Sequence, residues 1–200
     1  ALLADGIGDT VRVSLSEEPE HEIPVARKLV DYVMERAGHA KIVAKDSGKV
    51  NPFQYVRRST LGVENIGGDA LPVVMMSSGI SANGLAPDYA LVDGRFGNGT
   101  VYEVSQLAEL RSDLSPMKFL QLSYADYSKE VAGSVDERTV FILTTDHQNG
   151  VGEQRAFFHA LLAEGLRNPV VLNRTYKDSN LEDLQIKAAA DLGGFFIYGW

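Results

Sequence analysis

From residue 71 onward, short apolar runs recur at Leu71–Met76, Tyr89–Val92, Lys118–Leu122, Val140–Thr144, Val170–Asn173 and Phe195–Tyr198. Their length and β-rich content predict parallel strands covered on both faces. Between them, helical spacing predicts helices over 104–111, 125–132, 153–166 and 180–192. Ala156, Phe157, Ala160, Leu161 and Leu166 form the apolar stripe of the third, and Leu181, Leu184, Ile186, Ala189 and Leu192 that of the fourth. Upstream, residues 2–15 read as a strand broken by Gly6 and Gly8. Ser16 then caps a helix whose Ile23, Ala26, Leu29, Val30, Val33, Met34 and Ala37 recur at helical spacing until Gly38. Repeated βα units predict an α/β fold with a mostly parallel sheet. Six or so units fall short of eight, so the expectation is a partial or degenerate TIM-barrel-like architecture with function at the carboxyl ends of the strands.

The pattern weakens over 39–70. Ile42–Ala44 reads as a short strand, while Asp46–Lys49, Asn51–Pro52 and Gly67–Asp69 are turn material. The expected division is therefore 1–38, a linker or seam at 39–70, and an α/β unit at 71–200. Leu2-Leu3-Ala4-Asp5-Gly6 and Phe195-Phe196-Ile197-Tyr198-Gly199 echo each other as apolar strands ended by glycine. The chain opens on Ala1 inside one apolar run and closes on Trp200 after another, which reads as a piece of a longer polypeptide.

Composition narrows the chemistry. The 200 residues carry 19 Lys plus Arg against 27 Asp plus Glu, a net charge of −8. That balance argues against a broad nucleic-acid-binding face or an anionic membrane surface, so an anionic ligand needs a local pocket. The absence of cysteine removes disulfides, thiolate nucleophiles, zinc–thiolate sites and iron–sulfur ligation by these residues. No apolar run approaches the roughly 20 residues that span a bilayer, and an intracellular protein is expected.

In a parallel sheet, the polar residues after each strand share one rim. They are Asp5, Asp9, Thr10 and Arg12; Ser77, Ser78 and Asn83; Asp93 and Arg95; Ser123 and Tyr124; Thr145, Asp146 and His147; and Asn173, Arg174 and Lys177. Such a set suits an oxygen-rich or phosphorylated molecule, although loops after strands are polar in any α/β protein. Asp146 and His147 form an acid–base pair only if the loop turns between them, and a turn closed by the Asp side chain is the simpler reading. His21, His39, His147 and His159 lack metal-ligand spacing, so no metal site is expected. Ser77–Gly84 lacks the P-loop lysine, and no G-x-S-x-G elbow occurs.

Leu2-Leu3-Ala4-Asp5-Gly6-Ile7-Gly8-Asp9-Thr10-Val11-Arg12-Val13-Ser14-Leu15, followed by Glu22-Ile23, resembles the last barrel strand and helix of the hydroxymethylbutenyl diphosphate synthase family of the non-mevalonate isoprenoid pathway. Asn51-Pro52-Phe53-Gln54-Tyr55-Val56-Arg57-Arg58 and Lys187–Ile197 resemble the middle domain of its longer, three-domain members. The resemblance implies that residues 1–38 close a catalytic barrel and that 39–200 make up most of the inserted domain. It further implies reductive opening of methylerythritol cyclodiphosphate, with ferredoxin or flavodoxin as electron donor. The implied four-iron four-sulfur cluster is held by three cysteines and a glutamate of a last domain outside this chain. By the same resemblance Asp5 is a catalytic candidate in the intact enzyme, with Asp9, Thr10 and Arg12 as substrate-binding candidates. The segment alone is expected to be inactive and to act between domains, with homodimer contacts open. The expected location is the bacterial cytoplasm, or a plastid for a plant or apicomplexan source. The alternatives are an independent phosphate-ligand-binding α/β enzyme using Asp146, His147 and Arg174, or a docking or dimerisation module.

Overall fold

The computed structural model describes residues 2–51, 53–77 and 86–200. Ser78, Asn83 and Pro52, named above as rim and turn residues, lie outside them. Helix α1 spans Pro19–Met34. A small hairpin follows, β1 (Gly62–Val63) paired antiparallel with β2 (Ile66–Gly67). The main sheet contains β3 (Met75–Met76), β4 (Tyr89–Val92), β5 (Arg95–Phe96), β6 (Gly99–Glu103), β7 (Lys118–Leu122), β8 (Thr139–Leu143) and β9 (Val170–Leu172), in sequential order. Helices α2 (Leu107–Ser112), α3 (Lys129–Ala132), α4 (Gly150–Glu164) and α5 (Leu181–Ile197) connect or follow these strands. Only β5 runs against its neighbours, so the other six strands point the same way. The sheet curls into a half-barrel, in accord with the expected partial α/β barrel.

Side-chain alternation along β7 and β8 divides the core between two faces. Leu120, Leu122, Phe141 and Leu143 pack under the helices against Val131, Phe157, Phe158, Leu161 and Phe195. Phe119, Val140 and Ile142 occupy the other face with Met117, Phe96 and the hairpin residues Val63 and Ile66. Aromatic edge-to-face contacts continue the first cluster, with Phe157 5.3 Å from Phe141 and 5.2 Å from Tyr127 between ring centres. The core strands β4, β7, β8 and β9 fall within a residue of their expected bounds.

Other expectations fail, among them the strand at Leu71–Met76, which is paired only at Met75–Met76. Residues 2–15 do not form a strand: Leu2–Asp5 is a turn of 3₁₀ helix, and the following residues have no strand partner. Gly6 and Gly8 take φ of +71° and +84°, and the amides of Gly6 and Ile7 bond back to Leu3 and Leu2 carbonyls, which turns the chain away from an extended path. Ser16 does not cap α1, which starts at Pro19 after Glu18; Pro is pre-set for a first helical turn, where its missing N–H costs nothing. Ile42–Ala44 is unpaired.

Finally, Phe195–Ile197 is the last turn of α5, which removes the proposed echo with residues 2–6. Asn180 caps this helix through the Glu182 amide, and inward positions Leu184, Ala188, Asp191 and Phe195 follow helical spacing. Phe195 packs on Phe158 at 5.6 Å.

The unanticipated hairpin β4–β5 turns at Asp93–Gly94, both with positive φ (49° and 73°). That pairing is the usual two-residue hairpin chemistry.

Candidate functional site

Loops after β7, β8 and β9 do bring Ser123–Tyr124, Thr145–His147 and Asn173–Arg174 to one edge, as the parallel topology requires. The chain itself runs across much of that edge. Gln148 Nε2 donates to the carbonyls of Glu35 (2.6 Å) and Ala37 (3.2 Å). Tyr124 donates its hydroxyl to the Val43 carbonyl at 3.0 Å, and His147 Nε2 meets the Ala40 carbonyl at 3.1 Å. Residues 35–45 therefore form a strap over the loops after β7 and β8.

The loop after β8 turns differently from the Asp-closed expectation. Thr145 Oγ1 accepts from the His147 amide at 3.1 Å and donates to Glu153, whereas Asp146 is exposed. His147 Nδ1 accepts from the Asn149 amide at 3.0 Å, and Asn149 caps α4 through the Gly152 amide at 3.1 Å. His159 of α4 accepts from the Ser47 amide at 3.2 Å and is mostly covered. It pins the far end of the strap to α4.

Arg174 does not converge with Asp146 and His147. Its Nε and Nη2 donate to Asp191 at 3.0 and 2.8 Å. Asp191 is fully buried and also accepts from Arg36 (2.7 Å), Tyr32 (2.8 Å) and Tyr176 (2.9 Å). Burial works to lower the Arg174 pKa, but Asp191 and Tyr176 outweigh it and hold the guanidinium above its ordinary value. Burial and the same carboxylate push the Tyr32 and Tyr176 hydroxyls up. Both phenols thus remain protonated donors, and one carboxylate ties α1, α5 and the loop after β9 together. Asp191 was missed as a hub because it reads as one polar position in a helix. Its signal was a carboxylate in line with Ala188 and Phe195 on the buried stripe.

Among the residues singled out near the start, Asp5 is largely covered. Arg155 Nη1 of α4 donates to it at 2.6 Å, and the Tyr198 hydroxyl also donates to it. Arg155 lies over the Tyr198 ring at 5.1 Å. Hydrogen bonding to Asp5, followed by burial, raises the Tyr198 pKa. Asp9, Thr10 and Arg12 are exposed and make no side-chain hydrogen bond among the described residues. The structure therefore joins Asp5 to α4 and α5 rather than to those three.

No group of three or more His, Asp or Glu residues positioned for a metal ion occurs among the described residues. No helix among them is long and apolar enough to cross a membrane.

No protein-family model matches the chain, and no solved structure does. Similarity along the whole of this chain appears instead among curated proteins. The 4-hydroxy-3-methylbut-2-en-1-yl diphosphate synthase (flavodoxin) of Phocaeicola vulgatus is 42% identical, aligned over 100% of this chain and 37% of its own length. The proteins of the same name from Bacteroides fragilis and Porphyromonas gingivalis are 39% and 37% identical over the whole chain, covering 36% and 34% of theirs. The chain spans little more than a third of the length of these relatives, and over its entire length it is similar to part of each.

Proposed function

We propose that this chain is a segment of a flavodoxin-dependent 4-hydroxy-3-methylbut-2-en-1-yl diphosphate synthase, an oxidoreductase of isoprenoid biosynthesis. The whole enzyme would open methylerythritol cyclodiphosphate reductively. The observation that carries the reading is 42% identity extending across every part of the chain. In this reading residues 1–38 close the catalytic barrel, 39–70 form a seam, and 71–200 belong to the inserted middle domain. The segment serves an interdomain, structural role in the cytoplasm of a bacterium.

The resemblance implies an iron–sulfur cluster in the whole enzyme, but this segment does not fit one. It has no cysteine, and its described acidic and histidine side chains form no ligand group. The cluster then belongs to residues elsewhere in the parent, and no step of its chemistry is assigned to this chain. What this chain contributes is scaffolding: the Asp191 hub fixes α1 against α5, and Arg155 with Tyr198 fixes Asp5. Asp5 remains the catalytic candidate of the intact enzyme, and Asp9, Thr10 and Arg12, exposed here, are left available to a substrate diphosphate.

The independent-enzyme reading is weaker on geometry, since Arg174 is committed to Asp191 and His147 to the strap. Incubating the purified chain with the cyclodiphosphate and reduced flavodoxin tests the segment reading. No product is expected; turnover by the chain alone would refute the interdomain role.

A further inference from the structure

A cleft of about 650 Å³ opens beside the strap at the carboxyl edge of β7 and β8. Its size lies within the roughly 300–1,000 Å³ of small-molecule sites. The strap residues Lys41–Lys45 form one wall, Tyr124 and Tyr127 another, and Ala160 and Ala163 of α4 lie between. These small side chains leave an apolar floor that a larger residue would fill. The strap wall is built in place, because Tyr124 bonds to Val43, His147 to Ala40 and His159 to Ser47.

The charges around the cleft are unequal in a telling way. Its two carboxylates are held by neutral donors and keep their charge, Glu153 accepting from Thr145 and Glu164 from Tyr127 at 2.9 Å, so the three lysines leave the lining with an excess of positive charge. These are Lys41, Lys45 and Lys129, and none of the three is ion-paired among the described residues. In a chain of net charge −8, this one cleft presents three uncommitted ammonium groups around apolar ground. Such a lining suits a molecule with a compact apolar body and an anionic head, and disfavours a purely polar anion or a neutral hydrocarbon.

We infer that the cleft between the strap and α4 is a binding site for a small amphipathic anion, with the alkyl body on Ala160 and Ala163 and a phosphate-type head among Lys41, Lys45 and Lys129. This inference stands apart from the synthase reading, since it needs only the chain as it is.

Hexyl phosphate is a suitable probe, titrated into isotopically labelled chain while amide resonances are followed. Saturable binding is expected, with shifts concentrated in residues 41–45, 124–129 and 160–164. Inorganic phosphate and hexanol should each bind about tenfold more weakly or worse, because each supplies half of the recognition. The double variant Lys45→Glu/Lys129→Glu should weaken hexyl phosphate by about fivefold or more, and Ala163→Phe, which fills the floor, should weaken it at least as much. An unchanged amide spectrum outside the cleft verifies that each variant is folded; Ala160→Leu replaces Ala163→Phe if the latter is not. The inference is overturned by no saturable binding up to about 5 mM, by shifts centred elsewhere, by inorganic phosphate binding as well as hexyl phosphate, or by folded variants that bind as the parent does.

Discussion

Arg36, just past the end of α1, donates to Asp191 of α5 across 155 positions of sequence at 2.7 Å, with side chains 10% and 0% exposed. A carboxylate removed from water in this way is tolerable only when its lone pairs are all engaged. Asp191 meets that condition through two guanidinium groups and two phenols. The consequence is a fixed placement of α1 on α5, and thereby of the first 38 residues on the rest.

Asp191→Ala should cost about 3–5 kcal/mol, because it strands Arg36 and Arg174 as buried charges without an anion. Asp191→Asn should cost less, since it retains an acceptor of the same shape. Urea denaturation of both variants checks the ranking. A loss under about 1 kcal/mol for the alanine variant would mean that the hub does not hold α1.

A second carboxylate gives the fold an acid limit. Asp136 lies before β8 and touches Lys118 at 3.1 Å and Arg138 at 2.6 Å. Burial acts to raise its pKa, but hydrogen bonds from Arg138, Lys118 and Thr139 prevail and hold it at about 2, below the ordinary 3.8. A depressed carboxylate pKa stabilises the fold fully above the unfolded value, and that contribution disappears as pH falls through the folded one. The loss is therefore expected between about pH 4.5 and pH 2. Denaturation midpoints across this window should fall more steeply for the parent than for Asp136→Asn, and parallel slopes would contradict the assignment. Because Asp136 is about a third exposed, solvent screening keeps the effect modest.

Two glycines should respond oppositely to alanine. At Gly150 a Cβ would fall 1.7 Å from Arg174 Nη1 and 2.9 Å from Thr145 Cγ2, so the guanidinium that serves Asp191 must move. Gly150→Ala should destabilise by about 1–3 kcal/mol. Gly193, inside α5, has nothing within 4 Å of that position, and Gly193→Ala should stabilise by about 0.5–1 kcal/mol through helix propensity. Thermal melts that move both variants the same way would refute the packing described around Arg174.

Asp5 carries a further prediction. With this chain replacing the matching stretch of the Phocaeicola vulgatus enzyme, Asp5→Asn should lower turnover by about a hundredfold, the scale of a lost proton-transferring group. Unchanged turnover would leave Asp5 as a partner of Arg155 and Tyr198 with no part in catalysis.

The strands that form the middle of the sheet were legible because β7 and β8 are nearly continuous apolar runs buried on both faces. The errors arose where an apolar run carries no intrinsic label. Phe195–Ile197 has strand composition, but Asn180 starts a helix that continues through Gly193 and Gly194, and packing of Phe195 on Phe158 overrides local preference. The β4–β5 turn is signalled by Asp93–Gly94, a pair that suits a two-residue hairpin, but Asp93 and Arg95 also fit the polar rim expected after a parallel strand. The candidate site was legible only as a list of polar loop ends. Which of them meet depends on the strap, whose contacts span more than 80 positions, as between Tyr124 and Val43, and leave no local pattern.

Whether this chain serves as an interdomain segment of a diphosphate synthase is read from turnover of the graft described for Asp5, without further substitution. Reduction of methylerythritol cyclodiphosphate by reduced flavodoxin should persist within about tenfold of the Phocaeicola vulgatus enzyme. A graft that folds and assembles its iron–sulfur cluster, yet forms no product, would contradict that role.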